Sequence, residues 1–177
     1  MPEYHFQQVD VFSSAAFKGN PVAVVSGADT LTTEQMAAFA NWTNLSETTF
    51  LLRPTTPEAD YRVRIFTPNT ELPFAGHPTL GSCHAWLAAG GQARGKTILQ
   101  ECALGLVPVR FEEGRLAFAA PQLIRYGPVD AALLKRVAPG LHIYPAATQA
   151  AARPDTGTGW PCLTLSLRTV VLHPTPE

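Results

Sequence analysis

The chain has 177 residues, 46% of them hydrophobic and 15% charged, which is enough to build a sizeable apolar core and unlike a disordered or fibrous sequence. The net charge is −1 and the longest basic run is the pair Lys135-Arg136, which argues against nucleic acid or an anionic membrane surface as a partner. No apolar run approaches the ~20 residues of a membrane span.

Met1-Pro-Glu-Tyr-His5 lacks the basic-then-apolar order of a signal peptide. The three cysteines, Cys83, Cys102 and Cys162, form no CxxC pair, so a cytoplasmic protein with reduced thiols and no zinc knuckle is expected. Sixteen prolines and thirteen glycines exclude a helical bundle and favour short strands joined by tight turns.

In chain order, His5 to Phe12 alternates as a strand, and Ser13 to Gly19 is a loop. Asn20-Pro21 opens a β-branched strand over Val22–Val25. Thr32 or Thr33 can cap a helix running through Glu34–Asn41. Thr48–Leu52 reads as a strand, and Pro54 to Pro57 as a turn. Tyr61–Phe66 places Tyr61, Val63 and Ile65 on one face and Arg62, Arg64 and Phe66 on the other, where the arginines form a solvent or cross-strand face.

The run Thr79–Ala89 contains no Lys, Arg, Asp or Glu, predicting a helix buried all round and ended by Gly90-Gly91. Strands follow at Lys96–Gln100, Leu106–Phe111 and Arg115–Phe118, the last two joined by a Glu113-Gly114 hairpin. Pro121 to Pro128 reads as a linker, Val129–Val137 as a helix before Pro139-Gly140, Ala150 to Gly159 as a loop, and Trp160–Leu167 as a strand. A buried helix among short alternating strands implies a strongly curved sheet wrapped around it.

The segment Glu71-Leu-Pro-Phe-Ala-Gly-His-Pro-Thr-Leu-Gly81 carries the chemistry. A helix starting after Gly76 aims free N–H groups and its positive dipole end at one spot, suited to a carboxylate or phosphate. Glu47, in Asn44-Leu-Ser-Glu-Thr-Thr-Phe50, is the nearest upstream carboxyl placed for acid/base work. Together they suggest proton transfer on a small carboxylic acid. From the residues alone, the plainer readings lead: Glu47 as a solvated turn residue or a helix-cap acceptor, and His77 as a residue packed before Pro78.

His84 is expected to be buried and hydrogen-bonded, and its spacing from His77, without a carboxylate partner, argues against a metal pair. Cys83 is expected in the core. Asp10 and Asn20 flank the first hairpin, where cleft contact and turn chemistry fit equally. Gly157 and Gly159 do not complete a nucleotide-binding glycine pattern.

Asp10-Val-Phe12, Gly19-Asn-Pro-Val-Ala-Val24, Asn44–Phe50, Arg64-Ile-Phe-Thr-Pro68 and Glu71–Gly81, in this order, resemble the N-terminal half of the phenazine-biosynthesis PhzF-like isomerase/epimerase family. That family is related in fold to diaminopimelate epimerase. Beyond residue 121 the likeness is looser, with Asp155-Thr-Gly-Thr-Gly-Trp160 as its recognisable piece.

The resemblance implies an α+β fold, a mostly antiparallel curved sheet around a central helix in each of two domains. Residues 1–121 would be the first domain and 122–177 the start of a second, incomplete one. It implies catalysis without cofactor or metal, Glu47 as general acid/base, and Ser46, Gly76 and His77 as substrate-holding residues. It also implies a homodimer. The cysteine-dependent chemistry of related epimerases needs a thiol at the helix start, where this sequence has Gly76-His77. Family members are longer, and their second half supplies an Asp and a Gly-Ser pair that nothing here matches. The expectation is therefore a cofactor-independent isomerase or epimerase acting on a small carboxylic acid. The alternative is a non-catalytic ligand-binding or oligomerisation module of the same fold.

Overall fold

A computed structural model describes residues 3–140, 143, 148–152 and 162–165. The chain separates into two compact units, Met1–Pro121 and Gln122–Glu177.

The first unit holds β1 (His5–Val11), β2 (Asn20–Ser26), α1 (Thr33–Thr43), β3 (Glu47–Leu52), β4 (Tyr61–Phe66), β5 (Glu71–Leu72), α2 (Gly76–Ala88), β6 (Ile98–Cys102), β7 (Gly105–Glu112) and β8 (Arg115–Phe118). The strands form one sheet in the order β1-β2-β3-β4-β6-β7-β8, with β5 as a short flap on β4. Two pairings, β2 with β3 and β4 with β6, are parallel, and the other five are antiparallel. α2 packs against β1, β2, β3 and also β8, so the sheet curls around it.

Strand alternation explains how one sheet carries two cores. Val22 and Val24 of β2, and Tyr61, Val63 and Ile65 of β4, point to the side of α2 and pack with Cys83 and Ala85. Val25, Phe50 and Phe66 point the other way, into a second cluster with Met36 and Ala40 of α1. Phe66 therefore does not share a solvent face with the arginines of β4. It packs edge-to-face on Phe50, with ring centroids 5.6 Å apart. Arg64 lies over the outer side of the Phe66 ring at 5.1 Å and makes two 2.7 Å hydrogen bonds to the Glu71 carboxylate. That forked pair ties β4 to β5, an element the sequence pattern did not show.

Helix boundaries follow local chemistry. Thr32 caps α1 in a reciprocal box, its side chain accepting from the Gln35 N–H while the Gln35 side chain accepts from the Thr32 N–H. Asn44 ends α1 at φ 54° and turns the chain into β3; its short side chain tolerates this left-handed conformation. Glu113 and Gly114 both have positive φ, 51° and 75°, as the tight β7–β8 hairpin requires.

α2 is buried less completely than its composition predicts. His77, Pro78, Thr79, Gly81, Ser82, Cys83 and Ala85 are buried, but His84 is exposed. The sheet leaves a gap between its edge strands β1 and β8, and His84 lies in that gap beside Gln7 and Arg115. The expected buried histidine is thus a groove residue. Where the sheet does cover α2, contact is close: a Cβ on Gly81 would lie 2.4 Å from Val22 Cγ1 and 3.2 Å from Val11 Cγ2. Gly81→Ala is expected to lower stability by about 1–3 kcal/mol through overpacking, read as a reduced urea midpoint at unchanged slope.

The second unit contains α3 (Ala131–Gly140), β9 (Thr148–Ala152) and β10 (Cys162–Leu165), with β9 and β10 antiparallel. α3 starts after Asp130, whose carboxylate accepts from the Ala132 N–H at 2.9 Å, so Val129 and Asp130 precede the helix expected to begin at Val129. The helix also continues through Pro139, where an end was expected. β9 replaces the start of the loop expected from Ala150, since Ala150–Ala152 are strand residues. Asp155-Thr-Gly-Thr-Gly-Trp160 and the remainder of the expected Trp160–Leu167 strand outside β10 lie beyond the described residues.

Candidate active site

Glu47 opens β3, beside Val22 of β2 in parallel register. Alternation along β3 sends Glu47, Thr49 and Leu51 toward α2, and Thr48 and Phe50 toward α1. His77 is the second residue of α2, which starts at Gly76 after an extended Ala75 with no side-chain cap. Pro78 has no N–H, so the unpaired amides of this first turn are those of Gly76 and His77. No acidic residue occupies the first turn. Phe118 covers Gly76, where a Cβ would meet its ring at 3.1 Å.

Strand and helix converge on one point. His77 Nε2 and Glu47 Oε2 lie 3.3 Å apart, and both side chains are about nine-tenths buried. Neither atom completes a hydrogen bond with correct geometry. Two enclosed polar atoms without partners are costly in a folded interior. They lie 3.3 Å from each other, so a third polar group brought to that point would satisfy both. Ser46 lies beside them, exposed, and Asn20 Nδ2 is 3.2 Å from His77 Nδ1. On the outer side Phe12, at φ 71° and 72% exposed, holds its ring 6.4 Å from that of His77. The strand expected to include Phe12 ends at Val11.

Two buried relays anchor α2 at this height. The Tyr61 hydroxyl donates to Gln100 Oε1 at 2.9 Å, Gln100 Nε2 donates to Thr79 Oγ1 at 3.0 Å, and Thr79 Oγ1 donates to the Ala75 carbonyl at 2.9 Å. Ser82 Oγ donates to Thr49 Oγ1 at 2.8 Å, and Thr49 Oγ1 donates to the Ala23 carbonyl at 3.2 Å.

The sequence profile of the phenazine biosynthesis-like protein family (PhzC-PhzF) matches residues 9–122, which contain every one of these groups. The chain belongs to that family.

Antisense-enhancing sequence 1 of Schizosaccharomyces pombe is 53% identical over 113 residues, which are 63% of this chain and 38% of that protein. Trans-2,3-dihydro-3-hydroxyanthranilate isomerase of Pseudomonas aeruginosa is 43% identical over 109 residues, 62% of this chain and 38% of that protein. The matched part thus spans well under half of these relatives. A PhzF-family structure from Bacillus anthracis superposes with TM-score 0.77 at 23% identity, covering 97% of this chain and 59% of that one. A predicted epimerase of Pseudomonas aeruginosa gives 0.73 at 24% identity, covering 99% and 64%. These likenesses show the fold: the α+β, epimerase-like architecture of the PhzF family.

Among the described residues of this family member, no three His, Cys, Asp or Glu side chains cluster as metal ligands, and no helix is long and apolar enough to cross a membrane. Cys83 is a core residue whose thiol burial pushes up to about 11, which makes it a poor nucleophile at neutral pH. Asp10 and Asn20, neighbours in the β1–β2 register, take different surroundings. Asn20 touches His77, whereas Asp10 Oδ2 is enclosed without a partner and Asp10 Oδ1 abuts Gly19, where a Cβ would lie 2.5 Å away. Sequence reasoning missed the polar chain behind His77. Its available signal was Asn20 as the first residue of a strand whose parallel neighbour begins at Glu47.

Burial holds the His77 pKa below its ordinary 6.5, opposed by the Glu47 charge and the Pro21 carbonyl. The unfolded chain then binds a proton where the folded chain does not. Stability from the neutral ring is complete above 6.5 and declines as pH falls below it toward the lowered folded value. His77→Gln is expected to reduce this loss, seen as a smaller drop in urea midpoint between about pH 7.5 and about pH 5 than in the unmodified chain.

Proposed function

We propose that this chain carries the proton-transferring part of a cofactor-independent isomerase acting on a small carboxylic acid. The single observation behind this reading is the pair of enclosed, unpartnered atoms, Glu47 Oε2 and His77 Nε2, 3.3 Å apart at the first turn of α2. The substrate carboxylate accepts from the Gly76 and His77 amides, with Ser46 at its edge. Ionised Glu47 takes a proton from the adjacent carbon; the electron pair left behind spreads into the conjugated system of the acid. Protonated Glu47 then returns the proton to a different carbon, which moves the double bond and regenerates the carboxylate. His77, neutral near pH 7, steadies developing charge as a hydrogen-bond donor.

The isomerase relative supports the substrate class, since the compound in its name is a ring carboxylic acid with a partly reduced ring. The non-catalytic alternative would use the same enclosed pair to hold a ligand without exchanging its protons. Incorporation of solvent deuterium into trans-2,3-dihydro-3-hydroxyanthranilate and other small unsaturated acids, followed by NMR in heavy water, tests the reading. Exchange at a ring carbon is expected, and its absence from every acid offered would favour the binding-module alternative.

A further inference from the structure

Behind the Glu47–His77 pair runs a short polar chain whose direction decides what His77 can do. Ser46 Oγ donates to Asn20 Oδ1 at 3.5 Å, and Asn20 Nδ2 lies 3.2 Å from His77 Nδ1. A side-chain amide has one accepting end and one donating end. With its oxygen turned to Ser46, its nitrogen faces the imidazole, and Nδ1 must accept. A neutral ring then carries its proton on Nε2.

The opposite arrangement is worse on the far side of the ring. If Nδ1 kept the proton and gave it to a flipped Asn20 or to the Pro21 carbonyl, Nε2 would present a bare lone pair. That lone pair would face Glu47 Oε2 at 3.3 Å, with both atoms enclosed. Two acceptors facing each other in a desolvated site repel. Among the described residues, the groups recorded against the ring are Asn20 and the Pro21 carbonyl from β2, Glu47 from β3, and the Phe12 ring, and of these only Asn20 can donate to Nδ1.

We propose that Asn20 is a positioning residue that fixes neutral His77 as its Nε2–H tautomer, making His77 a hydrogen-bond donor beside Glu47 and not a second base. The offset between Nε2 and Oε2 leaves that N–H free for a third atom, such as an oxygen of the bound acid. The tautomer follows from this geometry alone; its service in turnover rests on the proton-transfer reading above.

The test is the pair of imidazole ¹⁵N shifts of His77 in the histidine-labelled chain, recorded with the ring neutral. The expected result is a protonated-type Nε2 and an unprotonated-type Nδ1. In Asn20→Asp the new carboxylate accepts from Nδ1, so the tautomer inverts and the His77 titration midpoint moves up. An unmodified chain with its proton on Nδ1 overturns the proposal and needs no variant to read. So does an Asn20→Asp chain, folded by its amide spectrum, whose tautomer and midpoint stay in place. In the deuterium-exchange assay, Asn20→Asp is expected to lower kcat by about 10-fold or more with a smaller change in KM, as losing an orienting partner does. Should Glu47→Gln keep full activity, the function fails while the ¹⁵N result still decides the tautomer.

Discussion

Glu47→Gln is expected to slow turnover by about 10²–10⁴-fold while leaving the fold as stable as before or more so. Both halves of this expectation come from one fact: the Glu47 carboxylate is buried and its Oε2 has no hydrogen-bond partner. A side chain retained for packing would lose stability when altered. A carboxylate held desolvated beside His77 costs free energy in the resting protein, and the neutral amide of the same size removes that cost. Glu47→Asp sharpens the test, because it keeps the acid but retracts it by one methylene. Its turnover is expected to fall by about 10²-fold, since misplacement on the order of 1 Å has that effect. Turnover and urea midpoint measured on the same preparations check both. A Gln variant that lost stability and kept activity would make Glu47 a structural residue.

Gln100→Leu is expected to destabilise the first unit by about 2–5 kcal/mol, although leucine suits a buried strand position. Gln100 is fully buried and is the middle member of the relay from Tyr61 to Thr79 to the Ala75 carbonyl. Leucine orphans the Tyr61 hydroxyl and takes a donor from Thr79, and each buried group left unpaired costs about 1–3 kcal/mol. Adding Tyr61→Phe removes one orphan, so the double variant is expected to recover part of the loss; a chemical-denaturation cycle on the four proteins measures this coupling. Because the relay ends at the residue preceding α2, its loss also loosens the first turn carrying Gly76 and His77. Turnover is expected to fall in Gln100→Leu even at temperatures where the chain stays folded.

The sequence legibly placed the strands whose apolar residues alternate, and the fold class that follows from wrapping them around an uncharged helix. Tyr61, Val63 and Ile65 declared a buried face correctly. The same pattern is silent on whether the other face is covered, so it places Phe66 with the arginines although α1 packs over it. The absence of charged residues likewise marks α2 as buried all round. Only the three-dimensional path of the sheet, open between β1 and β8, exposes His84. β5 has two residues and β9 is mostly alanine, too little pattern for either to register.

At the site, Glu47 and His77 were legible because each sits where an element begins, marked by Asn44-Leu-Ser46 before one and Phe74-Ala-Gly76 before the other. Their separation of 30 positions gave no sign that they meet; the parallel pairing of β2 with β3 and the packing of α2 across both bring them together. Asn20 was ambiguous for a related reason. In sequence it opens a hairpin strand, and only the folded chain sets its amide between Ser46 and His77.

An amide NMR titration of the chain with a ring carboxylate such as benzoate tests most directly whether an acid binds at the first turn of α2. Saturable shifts concentrated at the Gly76 and His77 amides are expected, accompanied by movement of the His77 ring nitrogens and the Glu47 side-chain carboxyl. Saturable shifts elsewhere with these signals unmoved would mean that the acid does not bind where strand and helix converge.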